Sequence, residues 1–136
     1  MNDPDQQLSP KQTLLLILLP FLGTAVGIRL YLHLVRVQHI YPGGYLIHHL
    51  FTGVLLLIPA AFLLAFGTRR RWLAISTRVA VGIGSALILD EMTYLVMTKA
   101  TDKDYVSRVS LSGAIVFASI AVVLLWVCYK LRQWRG

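Results

Sequence analysis

Two adjacent pairs of ionisable residues stand out in an otherwise apolar sequence: His48 with His49, in YLIHHLFTG, and Asp90 with Glu91, in LILDEMTY. Neutral imidazole and carboxylate groups are ligands that zinc, iron and manganese accept. The pairs therefore predict a divalent metal bound by His48, His49, Asp90 and Glu91. The specific helical spacings H-E-x-x-H and E-x-x-H are absent, so this hypothesis requires residues of separate helices to converge.

Further polar residues surround the two pairs in the sequence. Arg29 and His33 are one helical turn apart near the end of the first apolar segment. The segment TDKDYVSR follows the third apolar segment and adds two acids, a tyrosine and an arginine. We expect these residues to support the metal ligands or to bind an anion; they are Arg29, His33, Asp104, Tyr105 and Arg108.

Three other interpretations of the same residues stay open. Arg29 could neutralise Asp90 or Glu91 in a buried ion pair that fixes the helices in one register. The carboxylates and histidines could relay protons or ions, although four spans leave little room for alternating access. Basic residues could instead hold a phosphate or a lipid headgroup; the candidates for this are Arg29, Arg36 and Arg108.

The composition identifies the elements that must position these residues. The chain has 57% hydrophobic and 14% charged residues and a mean hydropathy of +0.68, which is too apolar for a soluble domain of 136 residues. A membrane-spanning helix needs about 20 apolar residues, and four such segments occur, at residues 13–35, 46–66, 79–97 and 109–129. The sequence predicts an all-α membrane protein, a single domain over 1–136 built as an up-down bundle of four transmembrane helices.

The net charge of +7 is distributed as a topology signal. Lysine and arginine are in excess on cytoplasmic segments. They cluster near the N-terminus, between the second and third segments and after the fourth: Lys11, Arg69, Arg70, Arg71, Arg78, Lys130, Arg132 and Arg135. We therefore expect a multi-pass protein of the cell inner membrane with both termini cytoplasmic, in contact with the lipid bilayer. No aromatic and basic pattern on a soluble element indicates binding to nucleic acid.

With this topology, the ionisable residues fall in the outer half of the membrane. Asp90 and Glu91 precede Met97 by six or seven residues, which places them roughly 10 Å below the outer surface. A buried charge costs at least about 2.5 kcal/mol, so several in one short protein require pairing or an aqueous cavity. We predict a polar pocket lined by the first three spans. Since neighbouring helical residues point about 100° apart, we expect one histidine and one carboxylate to face it.

The same residues resemble a widespread family of small bacterial multi-pass membrane proteins of uncharacterised function. Its motifs occur in order: R-L-Y-L, a glycine turn before histidine and glycine, G-x-G followed by D-E, and D-x-D-Y-x-x-R. The matching positions are 29–32, Gly43, Gly44, His49, Gly53, Gly82, Gly84, Asp90, Glu91, Asp102, Asp104, Tyr105 and Arg108. Family members have another histidine where this chain has Leu46, so the exact ligand set stays open. The resemblance implies a site here and names no reaction.

The leading functional hypothesis from the sequence is a membrane protein that binds a divalent metal in an outward-facing pocket. The first alternative is a non-catalytic accessory or assembly subunit of a larger membrane complex, or a homo-oligomer, whose buried charges are structural ion pairs. The second is a membrane-embedded enzyme or a binder of lipid headgroups or anions. Ser107, Ser110 and Ser112 lie near the fourth span, but no nucleophile motif surrounds them. Whether the protein is an enzyme is left open.

Overall fold

The structure is a computed structural model that describes residues 8–34, 48–67, 70–98 and 107–134. Those residues form four helices: α1 (Pro10–Leu34), α2 (His49–Phe66), α3 (Arg71–Met97) and α4 (Arg108–Trp134). All four are long and apolar enough to cross a membrane. The protein is therefore an all-α, multi-pass membrane protein with four spans. The glycine turn with Gly43 and Gly44 and the segment with Asp104 and Tyr105 lie outside the described residues.

Local sequence explains where the helices begin and end. Pro10 occupies the first position of α1, where its missing N–H is not needed. Just before it, the Ser9 hydroxyl oxygen accepts a hydrogen bond from Gln12 N–H at 3.2 Å, and the Gln12 side-chain carbonyl accepts one from Ser9 N–H at 3.0 Å. Ser107 Oγ similarly accepts from Ser110 N–H at 3.2 Å at the start of α4. Gly67 ends α2 with a φ of 77°.

Helix α3 is the centre of the bundle, because α1, α2 and α4 all pack against it. Arg78 near its start donates to Thr13 of α1, whereas Asp90 near its end pairs with Arg29, so α1 and α3 run in the same direction. Leu50 at the start of α2 contacts Glu91 near the end of α3, so these two helices are antiparallel. Helices α1 and α4 touch less extensively, and α2 packs mainly on α3 alone.

Glycine allows α3 to approach two of its neighbours closely. A Cβ at Gly82 would collide with the carbonyl oxygen of Ile17 in α1. A Cβ at Gly84 would lie 2.8 Å from the carbonyl oxygen of Gly53 in α2, and the converse distance is 2.7 Å. Gly82 thus permits a close approach of α1 and α3. At Gly23, by contrast, a Cβ would meet no atom within 4 Å, so that face of α1 is not packed against a described helix.

Replacing Gly82 by alanine is expected to lower the free energy of unfolding by about 1–3 kcal/mol, because the added methyl group forces α1 and α3 apart. The measurement is unfolding in mixed micelles of mild detergent and dodecyl sulfate. Gly23→Ala is the matched control, since its methyl group enters open space. A Gly82→Ala protein as stable as Gly23→Ala would contradict the close approach.

Candidate functional site

The site is built around the two carboxylates of α3. Asp90 and Glu91 are 4% and 0% exposed, although both are acidic. Successive helical residues point about 100° apart, and the central position of α3 puts a different helix in each of these directions. Asp90 therefore meets α1, and Glu91 meets α2.

Arg29 joins three helices at Asp90. Its Nε forms an ion pair with Asp90 Oδ1, and its Nη2 donates to the Asp90 backbone carbonyl at 3.2 Å. The same Nη2 also lies 3.2 Å from Ser110 Oγ and 3.3 Å from the Ser110 carbonyl oxygen in α4. The Arg29 side chain is 13% exposed. A charge placed this deep is stabilised by a counter-ion and by backbone acceptors together.

Glu91, although it belongs to α3, accepts a backbone hydrogen bond from the first turn of α2. The first N–H groups of a helix have no partner within it and carry a partial positive charge. His48 precedes α2 in an extended conformation and makes no side-chain cap. Glu91 Oε2 accepts the hydrogen bond of Leu50 N–H at 2.8 Å instead, and Glu91 Oε1 pairs with His48 Nδ1. The carboxylate thus fixes the end of α2 against α3.

His49 lies between the two carboxylates. Its Nε2 is 3.3 Å from Asp90 Oδ2, and its Nδ1 is 3.5 Å from Glu91 Oε2. Each ring nitrogen thus faces an oxygen of a different carboxylate, so His49 links Asp90 to Glu91.

Two buried carboxylate oxygens have no hydrogen bond with good geometry: Asp90 Oδ2 and Glu91 Oε1. Each faces a histidine nitrogen within ion-pair distance, from His49 and His48 respectively. The contacts Ser110–Arg29–Asp90–His49–Glu91–His48 thus form one continuous chain across the four helices. We call these six residues the charge cluster.

The structure brings together His48, His49, Asp90 and Glu91, which the sequence singled out. The two carboxylates meet different helices, as their 100° separation requires. Both histidines contact them from the start of α2, and His48 precedes the first helical residue. Of the other predicted residues, Arg29 belongs to the cluster, and His33 and Arg108 are exposed.

Sequence reasoning missed two contributors. The sequence suggested Ser110 only as a candidate nucleophile. In the structure it is fully buried, and its hydroxyl oxygen accepts a hydrogen bond from the Arg29 guanidinium group. Tyr94 is 0% exposed, and its ring centroid is 6.3 Å from that of His48. Its position three residues after Glu91, on the same face of a helix, was the available signal.

The predicted divalent metal is not supported. Within residues 8–34, 48–67, 70–98 and 107–134, no group of three or more histidine, cysteine, aspartate or glutamate side chains is arranged to hold a metal ion. The cause is visible in the partners of the carboxylates. Asp90 Oδ1 is paired with Arg29, and Glu91 Oε2 accepts from Leu50 N–H.

The cavity beside the charge cluster also differs from the predicted pocket. A groove of about 710 Å³ lies between α1, α3 and α4 rather than among the first three spans. Its lining is apolar over most of its length, with Arg29, His33 and Asp90 at one end. The histidines of α2 do not line it, because α2 packs on the other side of α3.

The fold and the site define a four-span membrane protein with buried His, Asp and Glu ion pairs. Comparison of the chain with protein-family models, with curated proteins and with solved structures found no match. The resemblance to the family of small bacterial membrane proteins therefore stays a prediction from short motifs.

Proposed function

We propose that the protein is a non-catalytic accessory or assembly subunit of a larger inner-membrane complex, and that its buried charges are structural. One observation carries this proposal: the intramembrane charges pair with one another and with backbone groups of the same chain. A catalytic or metal-binding group would need some of these oxygens for its substrate or metal. Buried ion pairs with well-placed additional hydrogen bonds are best attested as devices that fix helix register.

The role of the charge cluster in the fold supports this assignment. Helix α2 packs mainly against α3, so its position depends on that one interface. The bonds of Glu91 to Leu50 N–H and to His48 hold the start of α2. Arg29 joins α1 and α4 to the same region of α3. The charges therefore determine how four apolar helices, each able to slide in lipid, are aligned.

The distribution of basic residues supports the inner membrane with both termini cytoplasmic. Among the described residues, the two acidic ones are Asp90 and Glu91, and both belong to the charge cluster. At the end of the bundle opposite to this cluster, the charged residues are basic. The basic residues at that end are Lys11, Arg70, Arg71, Arg78, Lys130 and Arg132. A lysine and arginine excess marks the cytoplasmic side. Exposed Trp126, with the Lys130 ammonium 5.5 Å from its ring, fits the headgroup level there.

The charges can be tested separately from the fold by replacing a pair with apolar residues. We expect the double variant Arg29→Met with Asp90→Leu to fold and to keep the same stoichiometric partner as the wild type after purification in mild detergent. The measurement combines cross-linking in native membranes with quantitative mass spectrometry. The single variant Arg29→Met is the control that leaves Asp90 uncompensated. Absence of any stoichiometric partner of the wild type would contradict the accessory role.

Metal analysis of the same preparations tests the competing hypothesis. We expect no stoichiometric zinc, iron or manganese in the wild type. One metal per chain, lost in His49→Ala and in Glu91→Ala, would replace our proposal by metal binding.

A further inference from the structure

The groove between α1 and α4 points to a ligand that the proposed function does not include. Its edges are formed by apolar residues exposed on the outside of the bundle, among them Val26 at 66% and Ile115 at 58%. The groove therefore opens sideways, between two membrane-spanning helices. In a bilayer, the medium at that opening is hydrocarbon rather than water.

We propose that this groove binds one acyl chain of an anionic phospholipid, with the phosphate at the end marked by Arg29 and His33. Its volume of about 710 Å³ is within the range of small-molecule sites. Along α4 the lining runs from Leu111 to Val123, which is about 18 Å of helix. Half of a hydrocarbon core is about 15 Å. The length therefore matches a chain from a single leaflet.

The charges at the polar end favour an anionic headgroup. His33 is exposed and lines the groove one helical turn beyond Arg29. Arg108, also exposed, begins α4 three residues before the lining residue Leu111. Among the described residues, Asp90 is the acidic residue that lines the groove, and it is buried and paired with Arg29. Within the part of the chain that the structure describes, the accessible ionisable side chains at this end are therefore basic, as binding of a phosphate requires.

Filling the groove should remove the lipid. Ala118 on α4 and Ala25 on α1 line it from opposite sides, and neither belongs to the charge cluster. The protein would be reconstituted in vesicles with equal parts of phosphatidylglycerol and phosphatidylcholine, extracted in mild detergent and examined by native mass spectrometry. We expect one phosphatidylglycerol per wild-type chain, and a loss of at least about tenfold in Ala118→Phe and Ala25→Phe. Ala61→Phe is the matched control, because Ala61 is exposed on α2 outside the groove.

The headgroup is tested by His33→Gln, which keeps the groove and removes a basic group. We expect the preference for phosphatidylglycerol over phosphatidylcholine to fall by about fivefold, with a lipid still bound. Inorganic phosphate should not displace the lipid, since it lacks the acyl chain. Circular dichroism and gel filtration establish whether each variant is folded. If Ala118→Phe and Ala25→Phe are both unfolded, the amount of each lipid bound to the wild type decides the question.

Three results would overturn the inference: a wild type that retains no lipid, one that retains both lipids equally, and a filled variant that retains lipid like Ala61→Phe. A wild-type dimer that Ala118→Phe converts to a monomer would instead assign the groove to a second copy of the chain. None of these results bears on the internal pairing of the charges, so the accessory role and the lipid site fail separately.

Discussion

Replacement of Glu91 by alanine is expected to lower the free energy of unfolding by about 3–5 kcal/mol. The side chain is completely buried and contacts two groups at the start of α2, the Leu50 N–H and the preceding His48. Without it, an N–H at a helix N-terminus loses its acceptor, and the His48 and His49 rings lose a carboxylate. Since α2 packs mainly on α3 alone and Glu91 lies at one end of that interface, we expect the start of α2 to separate first.

The measurement is equilibrium unfolding in mixed micelles, followed by circular dichroism, with hydrogen exchange at Leu50 as the local probe. Met92→Ala is the control, because Met92 is the next residue of α3 and is exposed. Glu91→Gln should fall between the two, since it keeps an acceptor for Leu50 N–H and loses the charge. If Glu91→Ala is no less stable than Met92→Ala, Glu91 does not hold α2.

Replacement of Arg29 by methionine is expected to cost a comparable amount, about 3–5 kcal/mol, for a different reason. The variant leaves Asp90 buried at 4% exposure without its guanidinium partner. It also removes the donor that reaches Ser110 of α4. Replacing a whole buried pair by apolar residues of similar size is often neutral or stabilising. The double variant Arg29→Met with Asp90→Leu should therefore regain most of the lost stability.

A double-mutant cycle over wild type, both single variants and the double variant measures this coupling. Arg71→Met, at the exposed beginning of α3, should change stability by no more than about 0.5 kcal/mol and controls for the loss of a positive charge. A double variant as unstable as Arg29→Met alone would show that the two charges do not compensate each other. It would also remove the basis for treating the cluster as structural.

The convergence of the charged residues was predictable from the sequence because depth follows from helix rise. Asp90 and Arg29 are each six or seven residues from the same end of their predicted spans, and His49 lies in the first turn of the second. Once the four spans are arranged with alternating directions across the membrane, these residues lie at similar depth. Whether these residues bind a metal or pair with one another was not predictable from the sequence. A metal site and an ion-pair network use the same residue types and differ by about an ångström in the placement of oxygens.

The sequence by itself determined the four membrane spans, because a hydrocarbon core allows only helices of that length and composition. It also determined that buried charges must meet, since an isolated charge in lipid is too costly. Only the tertiary structure decided the partners. The central place of α3 directs Asp90 to Arg29 and Glu91 to the start of α2. The sparse contact of α1 with α4 leaves a groove beside them. Both depend on how helices pack, and packing is set by side-chain shapes at contacts between residues far apart in the chain.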